Sequence, residues 1–161
     1  MPTTQKAPDG MVDQGFRFGQ AREFTIFAPI KPGGAARMRE HFKTFAADDV
    51  SVINKVATVH DLRVVIFDND SRLMFATTYD GGFEQYIKDF STTMPDNIDR
   101  FFSEAEGYPG VRSPEIWNFI ARHQVEAAAF YSAYPDVTVR DVWKSQRVLK
   151  AFEDLLDQAQ S

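Results

Sequence analysis

The chain has 161 residues, no cysteine and a formal net charge of −5. This length is typical of one domain with a sizeable hydrophobic core. The missing cysteines exclude disulfides, thiolate metal sites and thiol nucleophiles. The acidic balance, with no Lys/Arg-rich run, argues against a nucleic-acid partner. Fifteen phenylalanines are more than a polar surface can accommodate, so they predict an apolar pocket or a subunit interface in addition to the core.

The first 20 residues combine Pro, Gly, Gln and Asp without apolar periodicity. This composition predicts a flexible arm over residues 1–20 and a single domain over residues 21–161. The same stretch lacks the apolar segment of a signal peptide, and no run is long enough to span a bilayer. We therefore expect a cytoplasmic protein without a membrane partner.

Alternating apolar residues predict a first strand over Arg22–Ile30, which the Pro32-Gly33-Gly34 stretch terminates. A helix then extends to about Ala46, because apolar residues recur there at helical spacing. Two further strands, His60–Phe67 and Leu73–Tyr79, flank a polar turn. Both strands carry apolar residues on both faces, which is typical of strands covered on both sides. The second cover is a partner subunit, further helices or a ligand, and of these we expect a partner subunit in a homodimer.

The segment after the hairpin is mainly helical in pattern. Phe83, Tyr86, Ile87 and Phe90 form one amphipathic stripe, and a further helix begins at Pro95.

A short helix is predicted with Ser113 as its N-cap. Val125–Tyr134 is predicted as the last strand. Thr138 and Asp141 resemble a capping box at the start of a C-terminal helix.

This order of elements resembles the ferredoxin-like βαββαβ motif, an α+β fold with an antiparallel sheet, here with inserted helices and an added C-terminal helix. It is similar to the dimeric α+β barrel superfamily, which includes small monooxygenases, chlorite dismutases and dye-decolourising peroxidases. Members of that superfamily pair their sheets around an apolar cavity. Asp80-Gly81 matches the end of the Gly-x-x-Asp-Gly motif of the peroxidases, but Thr77 occupies the position of its first glycine.

The resemblance implies a small-molecule-binding protein, with oxidoreductase or oxygenase activity on an apolar aromatic metabolite as one interpretation. A haem-binding, peroxidase-like protein is the second interpretation, so the cofactor stays open and haem is one alternative. A non-catalytic dimerisation or ligand-binding module is the third. Because fold analogy alone does not establish an activity, all three remain hypotheses.

His60, Asp80 and His123 are the candidate catalytic residues. His60 lies at a strand end, where pockets often open. Asp80 follows the third strand and could either cap the next helix or act as an acid at the pocket mouth. His123 ends a helix, where the dipole stabilises its charge, although it could also act as a haem ligand or base. No two histidines have a metal-ligand spacing, so no metal site is expected.

The expected pocket lies between the sheet and the inserted helices. Arg63 sits between apolar neighbours and needs either an acidic partner or an anionic ligand. The aromatic residues around the third strand, the short helix and the last strand either pack in the core or line the pocket. The candidate substrate-binding residues are Arg63, Phe75, Tyr79, Trp117, Phe130 and Tyr131.

Overall fold

A computed structural model describes residues 15–48 and 51–160. In these residues a four-stranded antiparallel sheet combines with six helices, the last of them C-terminal, which confirms the mixed α and β class. In chain order the elements are β1 (Arg17–Phe18), β2 (Ala21–Pro29), α1 (Gly34–Asp48), α2 (Ser51–Asn54), β3 (Val59–Phe67), β4 (Arg72–Asp80), α3 (Phe83–Thr93), α4 (Pro95–Phe102), α5 (Ile116–His123) and α6 (Val139–Gln160). Most of the predicted arm, residues 1–14, lies outside the described residues.

The strands lie in the order β1-β2-β4-β3. β2 and β4 pair along their whole length, from Ala21 opposite Asp80 to Pro29 opposite Arg72. β3 pairs with the other edge of β4, but its register shifts at His60. The three strands predicted over residues 22–30, 60–67 and 73–79 are therefore confirmed to within one residue at each end.

The β3–β4 hairpin turns through three residues in the left-handed backbone conformation. Asp68, Asn69 and Asp70 have φ angles of 58°, 52° and 66°, and the Ser71 amide donates to the Asp68 carbonyl. Asp and Asn tolerate this conformation better than most residues because their short side chains bond locally. Arg39 of α1 donates two hydrogen bonds, of 2.6 and 2.9 Å, to Asp70 and ties the turn to the helix layer.

The prediction of a strand over Val125–Tyr134 is wrong. In the described chain a single bridge with β2 forms just before this segment, between Gln124 and Ile26, and the Val125 amide donates to the Thr25 carbonyl. The buried carboxylate of Glu23 explains why pairing stops there, since it accepts the Ala127 amide in place of a strand carbonyl. The fourth strand is instead β1, which pairs with the start of β2.

Helices α1, α3, α4 and α5 cover one face of the sheet and bury most of the aromatic core there. The opposite face is only partly covered. Phe27 and Phe67 are half-buried there beneath the Arg72 guanidinium, which lies 5.9 and 5.2 Å from their ring centroids. Val65, beside them, is 42% exposed.

The start of the short helix was predicted too early. α5 begins at Ile116, and the Ser113 hydroxyl instead accepts a hydrogen bond from the Glu115 amide in the preceding turn. The capping box at α6 is confirmed. Thr138 Oγ1 accepts from the Asp141 amide, and the Asp141 carboxylate accepts from the Thr138 amide. Of the helices described, none combines the length and apolarity needed to cross a membrane.

Candidate functional site

An apolar cavity of about 130 Å³ lies between the sheet and its helix layer. Strand residues form the floor of the cavity, because every second residue of a strand faces the same side of the sheet. Each described residue around the cavity is aliphatic or aromatic, apart from the thioether of Met94. The floor consists of Phe24, Ile26, Leu62, Val64 and Phe75, and the roof includes Phe42, Ile87, Phe90, Phe101, Phe119 and Ile120.

Edge-to-face aromatic contacts fix the walls of this cavity. The ring of Phe75 meets those of Phe24 and Phe102 at centroid separations of 6.2 and 5.3 Å, with interplanar angles of 66° and 82°. Phe42 and Phe101 lie 5.0 Å apart in the roof. These are favourable aromatic geometries, and phenyl rings have few rotamers. The walls are therefore stiff and do not collapse readily into the space between them.

The two tyrosines at the cavity are neutral. Burial is the main cause that raises the pKa of both Tyr86 and Tyr108 well above the ordinary tyrosine value. Tyr108 also donates a hydrogen bond of 2.8 Å to Asp99, whose same oxygen accepts the Val111 amide. With no charged group at its wall in the described chain, the cavity favours an uncharged apolar occupant.

A second cluster joins His60, Asp80 and the start of α6. His60 is the additional residue at the β3 register shift, since Val59 pairs with Tyr79 and Asp61 with Thr78. Such a bulge redirects a side chain, and the His60 imidazole meets Asp80 with an Nε2–Oδ1 distance of 2.7 Å. Asp80 Oδ2 accepts the Val139 amide at 2.8 Å.

The exposures of the two side chains differ. Asp80 is 9% exposed and His60 is 25% exposed. The imidazole donates from Nε2 whenever the carboxylate is ionised, because an ionised carboxylate only accepts hydrogen bonds. The bulge and the carboxylate together orient the imidazole, an arrangement that proton transfer could use.

The alternative prediction that Asp80 caps the helix after β4 is wrong. α3 begins at Phe83, and its N-cap Gly82 makes no side-chain capping bond. The carboxylate instead binds the first amide of α6, 59 positions further along the chain. No local sequence pattern indicates a bond over that separation.

His60 also lines an open groove of about 440 Å³ at the base of α6. Tyr134 and Val137 form one side of the groove, and Val142 and Leu149 of α6 form the other. None of the described residues that line this groove also lines the apolar cavity. The polar pair and the apolar cavity are therefore separate sites.

The other predicted aromatic residues divide between core and surface. Phe75 lines the cavity, while Tyr79 is stacked on Tyr86 at 4.1 Å, and Trp117 is packed edge-on to Phe83 at 6.2 Å. Phe130 is half-buried.

Arg63 and Tyr131 lie at the surface. The Arg63 guanidinium is 3.7 Å from the carboxylate of Asp61, and both side chains are more than half exposed. Tyr131 is largely exposed, with its ring 6.0 Å from that of Phe18. Neither residue is part of the cavity wall.

His123 is not placed beside His60 and Asp80. Asp80 pairs with Ala21 at one end of β2, whereas Gln124, the neighbour of His123, bridges Ile26. These positions are five residues apart along the strand, or about 16 Å. His123 Nδ1 is bonded at 2.8 Å to the Phe119 carbonyl, within its own helix.

Haem does not fit the cavity. A cavity of 130 Å³ accommodates about one aromatic ring. A porphyrin is several times larger than that. The described wall also contains no histidine. Nor do residues 15–48 and 51–160 contain a group of three or more His, Asp or Glu side chains that could hold a metal ion.

The sequence matches no protein-family model, and a comparison with curated proteins finds no match to it.

Proposed function

We propose that this protein binds a small, uncharged apolar molecule of about the size of one aromatic ring in the cavity between sheet and helices. The observation that carries this proposal is a space of about 130 Å³ whose described wall consists of aliphatic and aromatic side chains and one methionine. Apolar cavities of about 150 Å³ stay dry and take up benzene or xenon.

Close packing is the usual state of a protein interior, so a space of this size has an energetic cost. At about 24 cal/mol per Å³ of cavity, 130 Å³ corresponds to about 3 kcal/mol of lost stability relative to a filled core. A ligand that fits recovers part of that loss through dispersion contacts. The rigid aromatic walls keep the space available.

The geometry favours a protein that binds the ligand without catalysing a reaction. An oxygenase or oxidoreductase acting on the same ligand would need a proton-transfer group at the cavity. His60 and Asp80 are the oriented pair, but they lie at the separate groove. We therefore propose a ligand-binding module, with acid–base chemistry at His60 as the second candidate because the buried Asp80 orients its imidazole.

The proposed fold family is the ferredoxin-like one, as in dimeric α+β barrels. The succession β2-α1-β3-β4-α3 supports it, as does Gln124, which bridges β2 where a last strand would pair. Members of that superfamily are dimers, so a homodimer is part of the proposal.

Thermal unfolding with and without benzene tests the proposed function. A ligand that binds only the native state at ten times its Kd stabilises by about 1.4 kcal/mol, which raises Tm by about 3–5 °C in a chain of this size. The blocking variant is Val64→Phe, which places a ring in the cavity. Its matched control is Val65→Phe, the next residue on the opposite, exposed face.

We expect the wild type and Val65→Phe to respond to benzene and Val64→Phe to lose the response. No response in the wild type to benzene, toluene or indole would refute the proposal. An equal response in Val64→Phe would mean that benzene binds outside this cavity. If that variant fails to unfold cooperatively, Val111→Phe, at another wall of the cavity, replaces it.

A further inference from the structure

One section of the cavity wall is a loop rather than a strand or a helix. Residues 107–113 lie between α4 and α5 and contribute Tyr108 and Val111 to the wall. Most of the other described wall residues belong to strands and helices. The 107–113 loop is therefore the part of the wall that can move with the least disturbance of the fold.

Both ends of this loop are fixed. Before it, the Glu106 amide donates to the Pro29 carbonyl at the end of β2, at 2.9 Å. After it, α5 begins at Ile116, whose side chain is buried. A movement of the loop therefore takes place between these two points and leaves the sheet and the helices in position.

A single carboxylate oxygen holds the loop against the cavity. Asp99 Oδ1 accepts a hydrogen bond of 2.8 Å from the Tyr108 hydroxyl and another of 2.8 Å from the Val111 amide. Within the described chain, these two bonds join the loop to an element beyond its flanking turns. The loop also has an ion pair of 3.6 Å between Arg112 and Asp96, but both side chains are largely exposed, so it contributes little.

Two glycines provide hinge positions in the loop. Gly107 and Gly110 have φ angles of 72° and 99°, which glycine adopts at little cost. A Cβ at Gly107 would meet no described atom within 4 Å, and one at Gly110 would meet Asp99 Oδ1 at 3.8 Å. The backbone conformation, and not close packing, therefore requires glycine here. Lid hinges are a few loop positions of this kind that absorb changes in φ and ψ.

We propose that the 107–113 loop is a lid on the apolar cavity and that Asp99 controls how fast a ligand enters and leaves, an inference that rests on the ligand binding proposed above. The Tyr108 ring packs against those of Phe102 and Phe119, at centroid separations of 5.8 and 5.4 Å. This ring is about as large as the proposed ligand, so its displacement leaves a passage of the required size. Opening breaks the two hydrogen bonds to Asp99 and keeps the strand floor intact.

Another part of the wall offers a competing route. Phe45 of α1, Ile53 of α2 and Leu62 of β3 also line the cavity and are half-buried. A ligand that passes between them leaves the bonds at Asp99 in place. The two routes therefore respond differently when one of these bonds is removed.

Exchange of fluorobenzene with the full chain, followed by fluorine NMR, tests the lid. Both rate constants are proportional to the fraction of open molecules, so a weaker hold by Asp99 raises them together and leaves Kd nearly unchanged. Tyr108→Phe removes one bond to Asp99 and keeps the ring in the wall. We expect both rate constants to rise by about tenfold, the factor for one lost hydrogen bond to a charged acceptor. Asp96→Ala is the matched control on the same helix, and it should leave both unchanged because its ion pair with the loop is exposed.

The outcomes separate the lid from the proposed ligand binding. Fluorobenzene that binds with unchanged rate constants in Tyr108→Phe would overturn the lid and leave the binding intact. A rise in the dissociation rate constant alone would also overturn it, because it would mean a lost contact in the wall. Equal acceleration in Asp96→Ala would do the same. No binding by the wild type would refute the proposed function, and with it the role of the loop in ligand entry.

Amide hydrogen exchange measures the opening without a ligand. We expect the Val111 amide to exchange about tenfold faster in Tyr108→Phe, because the loop that holds it against Asp99 opens more often. The Phe119 amide, bonded within α5 to the Glu115 carbonyl, should exchange as in the wild type. Equal acceleration at both amides would indicate general destabilisation and would overturn the lid.

Discussion

Asp80 should contribute more to stability than its partner His60, because its carboxylate accepts two hydrogen bonds. One comes from His60 at 2.7 Å and the other from the buried amide of Val139 at 2.8 Å. A hydrogen bond to a charged group contributes about 1.5–3 kcal/mol, and the cost is larger when a buried donor is left unpaired. We therefore expect Asp80→Ala to lower the free energy of unfolding by about 3–5 kcal/mol.

His60→Ala removes only one of these bonds, and its imidazole is one-quarter exposed. We expect a loss of about 1–1.5 kcal/mol, and a coupling of about 1 kcal/mol in the double variant.

Urea unfolding followed by circular dichroism measures all three variants. Asp61→Ala is the control, since its exposed carboxylate lies 3.7 Å from Arg63 and should change stability by less than about 0.5 kcal/mol. Equal losses in Asp80→Ala and His60→Ala would refute the reasoning, because they would mean that the Val139 bond contributes nothing.

Three further predictions concern the polar and tight contacts of the fold. Arg37 holds the pKa of Glu104 below its usual range, chiefly by hydrogen bonding. The pair therefore contributes its full stabilisation above the pKa of Glu104 in the unfolded chain, and this stabilisation is lost as the pH falls through the pKa of Glu104 in the folded chain. We expect the Tm difference between wild type and Glu104→Gln to shrink on acidification. Thr138→Ala should cost about 1 kcal/mol and speed hydrogen exchange in the first turn of α6. Gly34→Ala should lower the urea midpoint, because its Cβ would lie 2.8 Å from Ile30 Cγ2.

Much of the fold could be predicted because its signals are local. Alternation identified β2, β3 and β4, and the capping box identified the start of α6. The wrong strand over Val125–Tyr134 had a weaker signal, because three consecutive alanines interrupt its apolar pattern. It fails because the carboxylate of Glu23, about a hundred residues earlier, takes the Ala127 amide.

The candidate site was predicted less completely. The sequence indicated a pocket between sheet and helices and named Phe75 as a wall, and the structure has an apolar cavity there. The structure also brings His60 and Asp80 together, but it does so through a β-bulge that the sequence does not indicate. The sequence pattern alone does not assign Phe24 and Phe101 to a cavity, because periodicity shows which face of an element is buried and not whether the buried space is filled.

A structure of crystals pressurised with xenon tests the central proposal most directly. Xenon enters apolar cavities of this size and scatters strongly enough to be located without assumptions about the natural ligand. We predict a xenon site between the Phe75 floor and the Phe101 roof, absent from Val64→Phe and present in Val65→Phe. An empty or water-filled space there under the same pressure would contradict the account.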